Sequence, residues 1–312
     1  ERLGDALDLQ QQPAVSCMLL GDLLWAFSEE LGSPELRDRA IALYRQGCDL
    51  HPSDPALCIR LADLLERTGR AAEALSVYRT ARAIRPACRG PRHRLGVLLK
   101  DLGDKAAAES IFRGLIQEDG SNGHWHFHLG ELLSAEGDLD GANACYVRAI
   151  ELDPKDTAAH CNLGENLREQ GKLDEAITEL ELARDLDPKD ATARNDLGAA
   201  LTGRGRLDEA IVELKRAIEL DPKYALPHVN LGSALEKQDK LEDGIAEFRL
   251  AIALDPKFAG SHYDLGCALY KQDDLENAIA EWERAIELDS TIALAHYNLG
   301  IGLSDQGNLE FG

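Results

Sequence analysis

The chain has 312 residues, with 34 basic and 56 acidic side chains and a formal net charge of −22. Hydrophobic residues make up 44% and charged residues 29%, a balance that excludes a disordered or collagen-like chain. No apolar run reaches the ~20 residues of a membrane helix, aromatics at 5% are few for an all-β sandwich or barrel, and the overall negative field repels DNA and RNA.

From residue 21 onward the chain repeats itself. Leu163-Gly164, Leu197-Gly198, Leu231-Gly232, Leu265-Gly266 and Leu299-Gly300 follow one another at intervals of 34 residues. The same beat runs back through Leu129-Gly130, Leu95-Gly96, Leu61-Ala62 and Phe27-Ser28. With residue 21 as position 1, eight full repeats begin at 21, 55, 89, 123, 157, 191, 225 and 259, and a truncated ninth at 293. A period of this length signals stacked supersecondary units.

Residues 1–20 fit the beat poorly. Leu3, Ala6 and Leu7 match positions 17, 20 and 21 of a preceding repeat, and the match is lost at Gln10-Gln11-Gln12-Pro13. They read as a degenerate half-repeat or cap. The opening Glu1-Arg2-Leu3-Gly4-Asp5 has neither an initiator Met nor a signal pattern, which suggests a fragment or processed product. Repeat one departs at Ser28, Pro34, Glu35 and Gly47, and repeat three at Leu115 and Gly120. The middle repeats are regular. In repeat five Leu163 and Leu167 share one face of a first helix, and Ile177, Leu180 and Ala183 one face of a second. Gly164 and Ala176 are small enough for the two to approach closely. Gly171 can take a positive φ and end the first helix, and Pro188 stops the second. Phe311-Gly312 falls where the ninth repeat's second helix would begin, so the last first helix is expected to have an uncovered apolar side. One such hairpin cannot offset the entropy of ordering itself, and stacking on the next supplies the missing buried face. The expected fold is an all-α solenoid of antiparallel helical hairpins.

This pattern resembles the tetratricopeptide repeat family over residues 21–312. The resemblance implies a right-handed superhelix whose first helices line a groove that holds a peptide or partner protein. It places positions 2, 5, 6, 9, 12 and 13 on that inner face. Position 6 reads Arg60, Arg94, His128, Asn162, Asp196, Asn230, Asp264, Asn298. A carboxamide both donates and accepts, so Asn162, Asn230 and Asn298 could grip a peptide backbone. They resemble the asparagine ladder in the repeat arm of O-GlcNAc transferases, with Asp196 and Asp264 as two acidic rungs. Position 5 adds Phe127, Asn195, Tyr263 and Tyr297. Residues 55–122 hold 12 basic and 8 acidic residues, so the groove is expected to grade from basic to acidic along the chain. No repeat has Lys at position 2 or 5, which argues against the clamp that some family members use for chaperone tails.

Catalysis has no visible basis. There is no Gly-x-Ser-x-Gly, no His-Glu-x-x-His and no phosphate loop. Histidine recurs at position 4, as His126, His160, His228, His262 and His296, on successive hairpins rather than around one metal. His124 and His128 share a helical face without an evident third ligand. The expectation is neither a metal nor a cofactor. Seven cysteines, odd in number and without Cys-x-x-Cys, read as reduced thiols in the cytoplasm. The functional expectation is an interaction scaffold that binds an extended protein segment and inserts in no membrane. The alternatives are a substrate-recognition arm of a glycosyltransferase or protein kinase, or a protein that self-assembles through its C-terminal end.

Overall fold

The computed structural model describes residues 13–51 and 55–310. The expected half-repeat match at Leu3, Ala6 and Leu7, the first repeat's Pro52 and the terminal Phe311-Gly312 lie outside the described residues. Seventeen helices and no strand occur among the described residues. The chain divides into two compact units, residues 1–138 and 139–312.

The first unit holds α1 (Pro13–Leu31), α2 (Pro34–Leu50), α3 (Pro55–Arg67), α4 (Ala71–Ile84), α5 (Arg89–Asp101), α6 (Lys105–Glu118) and α7 (Gly123–Ala135). The second holds α8 (Leu139–Leu152), α9 (Thr157–Glu169), α10 (Leu173–Leu186), α11 (Ala191–Arg204), α12 (Leu207–Leu220), α13 (Leu226–Lys237), α14 (Leu241–Leu254), α15 (Ala259–Lys271), α16 (Leu275–Leu288) and α17 (Ala293–Glu310). In each unit successive helices pack on one another. Odd-numbered helices also meet the next odd-numbered helix: α3 with α5, α5 with α7, and α9 through α17 in turn. Among the described residues no comparable packing joins successive second helices, so each stack curves toward its first helices.

Backbone chemistry sets the period. First helices end where the chain takes a positive φ, at Gly69, Gly103, Gly137, Gly171 and Gly205. Asp239 and Asp273 occupy the same position with φ of 61° and 63°; aspartate is one of the few side chains that tolerates this region. Second helices end one residue before an Asp whose carboxylate accepts the backbone N–H two residues on. Asp153 accepts from Lys155 at 3.1 Å, Asp187 from Lys189 at 3.0 Å and Asp255 from Lys257 at 3.1 Å. The intervening proline has no N–H to continue the helix. Repeat one departs from this plan. Its α1 starts at Pro13 and runs through the expected boundary at 20/21, and Ser33 caps α2 at Pro34, three residues earlier than in the regular repeats.

Packing within a hairpin is a lock between position 8, which is small, and position 24, which is large. A Cβ on Gly164 would lie 2.6 Å from Leu180, on Gly198 2.5 Å from Leu214, on Gly232 2.7 Å from Phe248 and on Gly266 2.7 Å from Trp282. In the first unit Gly96 stands against Phe112 in the same way, at 2.8 Å. These large side chains are almost fully buried. Position 20 also needs to be small, since a Cβ on Gly244 would sit 2.9 Å from the carbonyl oxygen of Gly232. Gly232→Val should therefore destabilise the second unit by about 1–3 kcal/mol through overpacking, and Phe248→Ala by about 3–5 kcal/mol through the cavity it leaves. Urea unfolding followed by circular dichroism measures both; a Gly232→Val protein as stable as wild type would refute the lock.

Candidate functional site

In the second unit the first helices are joined directly by side chains at positions 5, 6, 9, 12 and 13. Asn230 Nδ2 donates to Asn195 Oδ1 at 2.8 Å, linking α13 to α11. Lys237 Nζ donates to the Thr202 carbonyl at 3.4 Å, and Lys271 pairs with Glu236 across α15 and α13. Asn298 Nδ2 reaches Cys267 Sγ at 3.3 Å, and the Tyr270 hydroxyl donates to Asp305 at 2.7 Å, both across α15 and α17. These links define an inner row from α11 to α17, and α9 packs beside α11 at its start. Asn162, Asp196, Asn230, Asp264 and Asn298 stand half-buried along it.

The row is not uniform. Asn195 is only 1% exposed; it donates to Asp196 at 3.0 Å and accepts from Asn230, so it orients its neighbours rather than facing outward. Tyr263 is half-buried, with its hydroxyl 3.5 Å from Asn298 Nδ2, and burial pushes it up to about 12. Tyr297 is 66% exposed. A pocket of about 160 Å³ opens between α15 and α17, lined by Cys267, Tyr270, Lys271, Trp282, Asn298 and Ile301.

In the first unit the position-6 cations lie opposite carboxylates. Arg60 is 3.9 Å from Asp22 and Arg94 3.8 Å from Asp63; Arg67 is 3.6 Å from Glu29. Lys100 and His128 both hold Glu131, at 2.6 and 2.7 Å. His128 also meets Phe127 edge-on and packs at a tilt against His93 and Phe112, with ring centroids 5.3–5.4 Å apart. Burial, aided by the neighbouring His128, presses His93 down to about 4. The expected basic end is therefore a row of paired charges. His124 and His128 do not converge on a shared ion: His128 is turned to Glu131, and no group of three or more metal-ligating side chains is placed to hold a metal among the described residues.

Family models for the tetratricopeptide repeat match residues 37–95 and 133–201, 93–157, 200–239 and 268–307, and 227–258. The chain belongs to the tetratricopeptide repeat (TPR) family. No curated protein sequence matches it. Among solved structures, the APC/C hetero-tetramer Cut9–Hcn1 is similar with a TM-score of 0.67 and 17% identity, over 95% of this chain and 60% of that one. Yeast Tom70 is similar with a TM-score of 0.55 and 21% identity, over 87% and 60%. A tetratricopeptide repeat protein from Parabacteroides merdae has a TM-score of 0.67 and 15% identity, over 80% and 98%. These likenesses show a shared fold, and the chain spans 60% of the length of the first two.

The recurring histidines of this TPR array work inside the hairpin. His160 Nδ1 lies 2.7 Å from Glu179 and its Nε2 3.4 Å from the Pro154 carbonyl. His228 meets Glu247 at 2.7 Å, and His262 meets Glu281 at 2.6 Å and the Pro256 carbonyl at 3.3 Å. Arg194 takes the same place in its repeat, bonding Glu213 at 2.5 Å and the Pro188 carbonyl at 3.0 and 3.1 Å. His160, Arg194 and His262 each clamp a second helix to the preceding loop, His228 bonds the second helix alone, and all four are withdrawn from the groove.

Asp196 and Asp264 are the electrostatic exceptions of the row. Burial, reinforced by Glu165 for the first and Glu236 for the second, pushes each carboxyl up to about 6. An unfolded aspartate titrates near 3.9. Between about pH 4 and pH 6 the unfolded chain has released protons that the folded one keeps, so stability falls as pH rises through that window and is level above it. Asp264→Asn removes this dependence at one site. It should raise stability at pH 7.5 by about 1–2 kcal/mol and leave stability at pH 4 nearly unchanged. Urea titrations at the two pH values check this, and a loss of stability at pH 7.5 would contradict it.

Proposed function

We propose that this TPR array is a non-catalytic scaffold that binds an extended segment of a partner protein along the inner row of its second unit. The observation that carries the reading is the row of half-buried polar side chains, Asn162, Asp196, Asn230, Asp264 and Asn298, one on each of five successive first helices, that ends at a largely apolar pocket. Polar groups able to bond a main chain, spaced at a helical repeat and closed by a concave apolar site, suit a chain held in extended form. In the first unit Arg60, Arg94, Phe127 and His128 occupy the corresponding row, where ion pairs and ring stacking already engage them. Seven free thiols, three of them buried, are consistent with a cytoplasmic setting. No described helix is long and apolar enough to cross a membrane. The net charge of −22 argues against a nucleic-acid partner.

The test uses random peptides displayed on phage and selected against the full chain. The variant with Asn162, Asn230 and Asn298 all changed to Ala should bind the selected peptides at least tenfold more weakly while keeping its helical circular-dichroism spectrum. Undiminished binding by a folded variant would remove the ladder from the mechanism.

Self-association is the second reading, and α17 favours it. Leu294, Tyr297 and Leu303 are each about half exposed or more on that helix, an apolar surface suited to contact with another copy. Sedimentation over a concentration range should show association that Tyr297→Lys abolishes; a wild type that stays monomeric at high concentration would dismiss it.

A further inference from the structure

The inner row of the second unit has a chemical bias that a generic peptide site does not require. Its donors are already engaged within the molecule. Asn230 Nδ2 is bonded to Asn195, Asn298 Nδ2 to Cys267 and Tyr263, and Asn162 Nδ2 to Tyr146. Lys237 is bonded to Thr202, Lys271 to Glu236, and Arg168 to Glu165 through two bonds of 2.5 and 3.0 Å. The acceptors are free. The carbonyl oxygens of Asn162, Asn230 and Asn298 have no partner among the described residues. Asp264 has neither a hydrogen bond nor an ion pair there, and Asp196 takes a single bond from Asn195. A half-buried carboxylate without a cation is costly, and its attraction for an incoming cation is stronger than at an exposed site.

At the α17 end of the row lies the second element, the pocket of about 160 Å³ walled by Trp282, Cys267, Tyr270 and Ile301. Trp282 is the wedge of its own hairpin and forms part of the wall from the buried side, so the pocket is rigidly backed. Its volume suits one apolar side chain.

We infer that the second unit's inner row takes an extended cationic peptide, with Lys or Arg side chains at Asp196 and Asp264 and an apolar side chain in the pocket between α15 and α17. The inference rests on the peptide-groove reading above and adds the class of ligand. Its spacing follows from the fold. Packed helices stand ~8–10 Å apart, so Asp196 and Asp264, two first helices apart, are roughly 16–20 Å from each other. An extended chain advances ~3.3 Å per residue, which separates the two basic residues by about five or six positions. The apolar residue follows about three positions beyond the basic residue at Asp264.

Titration supports the same picture. The groups facing Asp196 are Cys161, Glu165 and Arg168 from α9, Asp190 and Asn195 from its own helix and cap, and Tyr224. Glu236 from α13, itself held by Lys271, and Tyr263 and Cys267 from its own helix face Asp264. With both carboxyls pushed up to about 6, a cationic peptide meets them fully ionised at pH 7.5 and mostly neutral at pH 5. Affinity should fall with acidity, and binding near pH 6 should release protons.

The experiment selects random dodecamers displayed on phage against the full chain at pH 7.5 and low salt, then measures synthetic copies by calorimetry. Asn already stands at position 6 in three other repeats of this unit, so D196N/D264N keeps the shape of the row. The expected result is peptides with two basic residues five or six positions apart and an apolar residue beyond them. These should bind wild type at least tenfold more tightly than D196N/D264N at pH 7.5, with the difference shrinking at pH 5. Replacing the peptide's apolar residue by Ser should weaken binding at least fivefold. Selected peptides that are acidic or uncharged, equal affinity for the two proteins, or indifference to the Ser replacement would overturn the inference while leaving the groove reading intact. Selection of no peptide at all would overturn the groove reading itself.

Discussion

The structure depends on the meeting of a small residue and a large one inside each hairpin. Where Gly198 faces Leu214 or Gly266 faces Trp282, there is no room for even one added carbon. That contact sets the distance between first and second helices, and through it the angle at which the next hairpin stacks. It also decides how far the wedge penetrates. Tyr44 and Tyr78 reach through to the inner row, where their hydroxyls donate to Asp22 at 2.6 Å and Asp63 at 2.5 Å. In the second unit Leu180 and Leu214 stop short, and Trp282 arrives as an apolar wall. The core residue of each repeat thus helps determine the polarity of the surface its neighbours present.

The two units consequently offer different inner rows. In the first, Arg60, Arg67, Arg94 and Lys100 lie against carboxylates that come from the adjacent first helix. Exposed pairs of this kind contribute little stability, but they lower the net charge that a ligand would meet. In the second, Lys271 and Arg168 are similarly engaged by Glu236 and Glu165, yet Asp196 and Asp264 are left without such partners. Counting charges along the chain describes the first row as basic; it is the pairing between helices that makes it nearly neutral.

What the sequence disclosed followed the strength of local chemistry. Gly171 takes the positive φ expected of it, and second helices end before the prolines, because both effects act within a few residues. The wedge at position 24 is visible only at Leu180, since Tyr, Phe, Leu and Trp alternate there, all large but alike in neither shape nor polarity. The clamp at position 4 left a trace that single-position reading passes over: Glu occurs at position 23 only in the repeats that carry His160, Arg194, His228 or His262. Gly32 and Ser33 shift the first turn three residues earlier than the repeat predicts, so α2 starts at Pro34. Position alone assigns Asn195 to the groove, whereas its amide is buried between Asp196 and Asn230. Which amide edge faces outward is settled by atoms on neighbouring helices, and no pattern along one helix encodes it.

The alternation of Asn and Asp at position 6 has a further implication for how such an array is tuned. In a stack whose repeats touch only their neighbours, stability is close to a sum of local terms, so a side chain on the inner row can change without disturbing the locks behind it. Asn satisfies that position in Asn162, Asn230 and Asn298 with a neutral group. Asp in the same place brings a charge that burial opposes by as much as ~3 kcal/mol for a shift of this size. Nothing in the packing of α11 or α15 uses that charge: the wedge, the positive-φ turn and the clamp are all complete without it. A residue that lowers the stability of its own repeat and, beyond the one bond Asp196 takes from Asn195, supports no internal contact is explained by something outside the fold, and a carboxylate recessed in a row of unfilled acceptors has its natural counterpart in a donor carrying positive charge.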